Sequence, residues 1–300
     1  MKILNFGSLN VDYVYSVDYF VRAGETLKVN SREVLPGGKG LNQSVALARA
    51  GAAVCHAGCI GADGEFLREL LNRNGVDTSL LRTIDGMQGH TVIQVDSKGE
   101  NCILLYGGTN RRISEDQIDE TLSHFGAGDW LVLQNEINNL PRIVDTAYAQ
   151  GMKIVLNPSP YEDSLKDVDF GKLSWLLVNE VEACQCSGSD EPVMAWDVLH
   201  ARYPNLSLLI TLGGAGSIAH CVSPEGLDTV CQQAFKADAV DTTAAGDTFT
   251  GYFIGGLAEG QPLAECMRRA SMASAISVTR MGAAVSIPGK DEVEQRLENL

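Results

Sequence analysis

Short, largely apolar runs recur through the second half of the chain: Trp130–Leu133, Lys153–Leu156, Trp175–Val178 and Leu206–Leu212. Their apolar residues are consecutive rather than alternate, which predicts strands covered on both faces. Amphipathic helical windows lie between the first three runs, and Val193–Tyr203 precedes the fourth. This alternation predicts an α/β fold with a doubly wound, mainly parallel sheet flanked by helices. Lys2–Phe6 predicts the first strand, ending at Gly7, and a helix is predicted from Gly37-Gly38 to about Ala50. Helical windows at Gly246–Ala258 and Leu263–Thr279 fill the C-terminal third, and the charged tail Lys290–Leu300 predicts a solvated terminal helix.

Other segments follow a different period. Val11–Phe20 and Glu25–Leu35 alternate loosely, with Tyr and Val at strand-like spacing. His90–Asp96 and Asn101–Tyr106 flank Ser97-Lys98-Gly99-Glu100, a hairpin signal. These pieces, at about 11–35 and 89–107, are expected to form a small β lid. Its place would be over the C-terminal edge of the main sheet, where ligands bind in open α/β folds. Residues 1–300 read as one domain carrying that lid, with no internal repeat or low-complexity linker.

With 300 residues, 45% hydrophobic and 20% charged, the chain can bury one large core. A net charge of -15 argues against nucleic acid and anionic membrane surfaces as partners. No apolar run reaches the ~18 residues that a membrane span requires. The eight cysteines include no CxxC pair, and Cys184 and Cys186 are too close for an ordinary bridge. Cys55, Cys102 and Cys221, inside apolar runs, read as reduced, buried thiols. The N-terminal MKILNFGSLNVD reads as strand and turn rather than a signal peptide, so a cytoplasmic setting is expected and the sequons at Asn42 and Asn205 would be unused. The five histidines show no ligand spacing, which argues against a structural zinc.

The strongest chemical signal is Asp241-Thr242-Thr243-Ala244-Ala245-Gly246-Asp247-Thr248-Phe249. Its small residues let backbone approach a ligand closely. The apolar helical window that follows puts the amides of Ala244, Ala245 and Gly246 at a helix N-terminus, able to hold a phosphate. Asp247 falls in the first turn, where its carboxylate can take a proton from an incoming hydroxyl. In isolation it would read as a helix cap. A second signal is Pro36-Gly37-Gly38-Lys39-Gly40-Leu41-Asn42-Gln43, where glycines precede a helix and Lys39 and Asn42 supply donors. It is not a P-loop, because the first glycine is missing and Gly40 replaces the hydroxyl residue. Gly214-Ala215-Gly216 after a strand invites a dinucleotide-binding reading, but Ser217–Val222 reads as another strand where the fingerprint requires a helix.

The two motifs, in this order, resemble the ribokinase-like carbohydrate kinase family, also named after the minor phosphofructokinase, and the resemblance runs from Gly7 to Pro288. It implies an ATP-dependent sugar kinase with Asp247 as the base. By resemblance, Asn10, Asp12, Gly38, Lys39, Asn42 and Glu136 would hold the sugar together with Asp247. Asn179 and Glu182, in the family's NxxE segment, would organise Mg²⁺ and its waters around the phosphates. The turn from Thr211 through Gly213 to Gly216 would border the nucleotide, with Ala244, Ala245 and Gly246 at its phosphates. Asp241 and Thr243 would bind a monovalent cation, K⁺, with Ser277, Arg280, Gly282 and Ser286 closing that loop. One departure is Ser271, where the family often carries Asn or His beside the base of the nucleotide. The polar set around Asn10 and Glu136 favours D-ribose, converted to ribose 5-phosphate. Fructose, deoxyribose and nucleosides stay open as acceptors, and a catalytically silent sugar-binding protein is the alternative of a different class. Open lid edges need cover, so a homodimer joined through the lid is expected.

Overall fold

The computed structural model describes residues 1–299. Strand β1 (Ile3–Phe6) runs through the centre of the molecule and turns at Gly7 into β2 (Asn10–Ser16) and β3 (Ser31–Gly37). Helix α1 (Lys39–Arg49), β4 (Val54–Ile60), α2 (Glu65–Arg73) and β5 (Leu81–Thr83) follow, then the hairpin β6 (His90–Val95) and β7 (Asn101–Tyr106). The alternating half consists of α3 (Glu115–Leu122), β8 (Trp130–Gln134), α4 (Leu140–Ala149), β9 (Lys153–Asn157), β10 (Trp175–Asn179), α5 (Glu180–Ser187), α6 (Ala195–Arg202) and β11 (Ser207–Thr211). The chain ends with β12 (Ser217–Ser223), β13 (Gly226–Gln232), α7 (Ala245–Ala258), α8 (Leu263–Ser277) and α9 (Lys290–Glu298).

Nine strands form one sheet in the order β13-β12-β11-β10-β9-β8-β1-β4-β5. Pairing is parallel from β11 to β5, and β12 and β13 add an antiparallel edge. The apolar runs alternate faces: Ile3, Trp130 and Val132 pack toward α1, α7 and α8, while Leu4, Leu131 and Leu133 pack toward α3 and α4. The expected doubly wound, mainly parallel fold is therefore present. Strand order reverses between β1 and β8, and the crevice at such a switch point is where open α/β sheets receive ligands.

β2, β3, β6 and β7 form a second, four-stranded sheet in the order β3-β2-β6-β7. Only three residues separate the C-terminal end of β1 from the start of β2, which ties the small sheet to the rim of the large one. Residues 17–30 are not strand. Side-chain bonds from Asn30 to Asp18 and from Tyr19 to Glu25 hold this stretch as a loop. β2 pairs with β6 in parallel, so the two hairpins join side by side.

Two sequence expectations need correction. Cys102 is exposed rather than buried, because every residue of edge strand β7 faces solvent, and Cys55 and Cys221 are only half-buried. The terminal helix is not fully solvated, since Val293 and Leu297 are buried in the core beside α8. Leu300, in the expected tail helix, lies outside the described residues. All eight cysteines are free thiols.

Candidate active site

The motif residues converge at the crevice. Gly38 caps α1 with a left-handed φ of 95°, and a side chain at Gly40 would collide with the Gly7-Ser8 backbone. Glycine at these positions lets the N-terminus of α1 lie directly on the β1–β2 turn. At the opposite wall, Ala244 begins α7 with φ 58°, a conformation that costs a non-glycine residue about 1–2 kcal/mol. This strained turn delivers Asp247 into the first turn of α7, buried at 7% exposure.

Both carboxylate oxygens of Asp247 are held by amides from α1. The Asn42 amide donates to Oδ2 at 3.0 Å and the Gln43 amide to Oδ1 at 2.9 Å. Gln43, to which sequence patterning assigned no role, is therefore as close to the carboxylate as Asn42. The amide of Ala245 already donates to the Thr242 carbonyl at 3.2 Å, so the turn spends one of its amides on itself.

Glu136, just past β8, accepts from the Ser8 hydroxyl and from the Lys39 backbone amide. Burial pushes the Glu136 carboxyl up from its ordinary value, against the opposing Lys39 charge and these donors. Burial works against the Lys39 ammonium as well, but Asp247, Glu136 and Glu182 around it hold its pKa above the ordinary lysine range. Asp12, on β2, is pushed up to about 6. Burial is the main cause and the Glu136 charge adds to it, while a 2.6 Å bond from Thr91 opposes both. The Asn10 Oδ1 accepts from Asn110 at 2.8 Å, which leaves the Asn10 amide hydrogens for another acceptor. Ser8, Thr91 and Asn110 carried no motif signal, because each acts by touching a residue far away in sequence.

A cavity of about 420 Å³ opens beside this cluster, lined by Lys39, Asn179, Glu182, Thr211, Gly213 and the turn Ala244–Asp247. Asn179 and Glu182 form a reciprocal capping box on α5: the Asn179 Oδ1 accepts from the Glu182 amide at 2.9 Å, and Glu182 Oε2 accepts from the Asn179 amide at 3.0 Å. A second cavity of about 340 Å³ shares Thr211, Gly213, Ala245 and Gly246 with the first. It runs on past Gly216, Phe235, Phe249, Ser271 and Val278. The crevice thus has a polar end near Asp247 and Glu136 and a more apolar end near Phe235 and Ser271.

Asp241 ties two further segments together beside α7. Its Oδ1 accepts from the Thr243 amide at 2.9 Å and its Oδ2 from the Gly282 amide at 2.8 Å. Burial pushes the Asp241 carboxyl upward, but these donors outweigh it and hold the pKa below the ordinary value. Ser277 and Ser286 are buried nearby in sequence, with hydroxyls donating to Ser274 and Ala283 carbonyls, while Arg280 pairs with Glu292. Among the described residues, no three His, Cys, Asp or Glu side chains cluster as a metal site, and no helix is long and apolar enough to cross a membrane.

Comparison with known proteins adds three findings. The description "pfkB family carbohydrate kinase" matches residues 1–290. The chain is similar to the ribokinase of Haemophilus influenzae, with 37% identity over 303 residues covering 98% of this chain and 97% of that one. It is also similar in structure to two solved ribokinases. The Cryptococcus neoformans enzyme in complex with ADP gives a TM-score of 0.85 at 32% identity, covering 98% of this chain and 99% of that one. The Arabidopsis thaliana enzyme complexed with ribose and ATP gives 0.85 at 26% identity, covering 99% and 98%.

Proposed function

The chain belongs to the pfkB family of carbohydrate kinases, and from that premise we propose that it transfers the γ-phosphoryl group of ATP to the 5-hydroxyl of D-ribose. The observation that carries this reading is Asp247, a buried carboxylate in the first turn of α7, gripped at both oxygens by α1 and facing a cavity at a strained helix N-terminus. Asn10, Asp12, Gly38, Lys39, Asn42 and Glu136 hold the sugar. Carboxylates at Asp12 and Glu136 accept from its hydroxyls, and the Asn10 amide donates to them. Asp247 orients the 5-hydroxyl and takes its proton as the new O–P bond forms and the bond to the ADP oxygen breaks. The remaining amides of the 244–246 turn and the Lys39 ammonium stabilise charge on the transferring phosphoryl group. Thr211, Gly213 and Gly216 border the nucleotide, whose base takes the apolar end of the crevice by Ser271.

Mg²⁺ fits the same cavity. Asn179 and Glu182 offer hard oxygen donors at its wall without forming a dedicated cage, as expected for an ion bound mostly by phosphates and water. When bound, it supplies charge neutralisation at the phosphates. A monovalent cation, K⁺, suits the oxygen-rich loop of Asp241, Thr243, Ser277, Arg280, Gly282 and Ser286. Arg280 is paired with Glu292 and carries no side-chain acceptor, so it would offer its backbone oxygen, whereas the Ser277 and Ser286 hydroxyls keep their lone pairs while donating to carbonyls of their own turns. In this reading residues 1–300 act as one domain, and the small sheet is a lid whose closure excludes water from the reacting phosphate. The face bearing Val34, Leu104 and Tyr106 is open to solvent, which supports a homodimer joined through the lids. Eight free thiols and the absence of a spanning helix among the described residues are compatible with a cytoplasmic enzyme.

The test is ATP consumption across free sugars and nucleosides, with Asp247→Asn alongside. D-ribose should give the highest kcat/KM, and a preference of about tenfold for fructose or a nucleoside would sink the substrate assignment. Asp247→Asn should lose at least ~10²-fold in kcat with sugar KM changing little. A folded variant keeping more than about a tenth of wild-type turnover would remove Asp247 as the base.

A further inference from the structure

Behind Asp247 lies a line of buried polar side chains that the reaction as described does not use. Asn5, Gln43, Ser44, His56 and Gln134 are all fully buried, and they connect β1, α1, β4 and β8 under the floor of the site. Buried polar groups of this kind are high-stakes, because the low dielectric strengthens each satisfied bond and penalises each lost one. What distinguishes this set is that the hydrogen bonds of its three amides have only one consistent direction.

The direction follows from Asp247. An ionised carboxylate only accepts, so Gln43 must present its Nε2 at 2.9 Å and turn its Oε1 away. That Oε1 accepts from Gln134 Nε2 at 2.7 Å. Gln134 spends its other N–H on Asn5 Oδ1 at 3.0 Å, which obliges Asn5 to donate its own amide, to the Gly40 carbonyl and to Ser44 Oγ, both at 2.8 Å. The line ends where Ser44 Oγ lies 2.7 Å from His56 Nδ1, a contact in which either atom can be the donor. Burial keeps His56 neutral, pushing the imidazole down to about 4. Reversing any one amide would set oxygen against oxygen or nitrogen against nitrogen along the line.

We propose that Gln43 and Gln134 are positioning residues for Asp247, and that the buried line of amides from Asn5 through Gln134 locks the Gln43 amide as a donor so that the carboxylate keeps one orientation toward the sugar hydroxyl. The inference rests on the kinase reading given above. Asn42 holds the other oxygen, so loss of the Gln43 bond would leave Asp247 free to rotate about the remaining one. A small misalignment of a base and its nucleophile is expensive in rate, on the order of tenfold to a hundredfold. It leaves ground-state binding of sugar and ATP nearly untouched.

The experiment is a double-mutant cycle with Gln43→Met and Gln134→Met, near-isosteric changes that remove the amides. Each single variant should lose about 10- to 100-fold in kcat, with KM for ribose and for ATP within about threefold. The double variant should be no worse than Gln43→Met to within about twofold, because Gln134 acts only through Gln43. A purely structural role would lower the melting temperature while leaving kcat at saturating substrate within about twofold, or would make the two losses multiply, and either result overturns the proposal. Should Gln134→Met fail to fold, Ser44→Ala replaces it in the cycle with the same reading. Asp247→Asn measured beside them separates the two ideas. If it keeps its turnover the kinase assignment of Asp247 fails, and if it alone is inactive only the positioning role fails.

Discussion

Asp12 offers a test of function against stability in one side chain. Its carboxyl rises from 3.8 to about 6, chiefly through burial, with Glu136 adding to the rise. Because the folded pKa is above the unfolded one, ionised Asp12 destabilises the fold. The penalty is fully present above about pH 6, shrinks as pH falls through 6, and is gone near the unfolded value. Roughly two units at ~1.4 kcal/mol each give about 3 kcal/mol, and the water that reaches a half-buried carboxylate discounts this to about 1–2 kcal/mol. Asp12→Asn keeps an oxygen for the Thr91 hydroxyl, whose bond is 2.6 Å, and removes only the charge. Urea unfolding should therefore find the variant more stable at pH 8 by about 1–2 kcal/mol, with the gap closing by about pH 4. The same change takes a charged acceptor from the sugar, worth ~1.5–3 kcal/mol, so ribose KM should rise about 10- to 100-fold with a smaller change in kcat. A stability gap that does not vary with pH would show that burial is not what raises Asp12. An unchanged KM would show that it does not touch the sugar.

Two further outcomes follow from the neighbouring features. At fixed ionic strength, turnover should rise with K⁺ and be weak in Na⁺ or Li⁺ alone, since a cation held by the Asp241 loop would order the turn that carries Asp247; equal rates in the three salts would refute it. Light scattering at micromolar concentration should give twice the 32.2 kDa chain mass, and Leu104→Arg on the open lid face should yield monomer. A wild-type monomer with full activity would remove the dimer.

The fold was legible wherever burial alone dictates residue type. Residues 130–134 and 175–178 are covered on both faces, so their apolar runs announce strands without reference to their partners. Strands that face water gave weaker signals. β13 carries Asp228, Thr229 and Gln232 and was not foreseen, and β5 is only Leu81–Thr83. The strands of the small sheet were visible through their period of two, but that period does not say which strands pair. The parallel match of β2 with β6 sets Val11 beside His90 and Asp12 beside Thr91, and it comes from tertiary assembly.

The site divides along the same physical line. Ala244 to Asp247 were visible because a helix start, small residues and an acid fall within one short string, and local chemistry acts at short range. The grip on Asp247 spans 205 residues from Asn42 and 204 from Gln43, and nothing in either string marks the other. Gln43 and Gln134 read as ordinary polar residues until the fold sets them 2.7 Å apart. A carboxylate imposes a direction on the amide hydrogen bonds leading away from it, so Asp247 constrains the amides of Gln43, Gln134 and Asn5 behind it. The residues that announce the reaction are local in sequence. Those proposed to hold it in register are recognisable only as a directed chain in space.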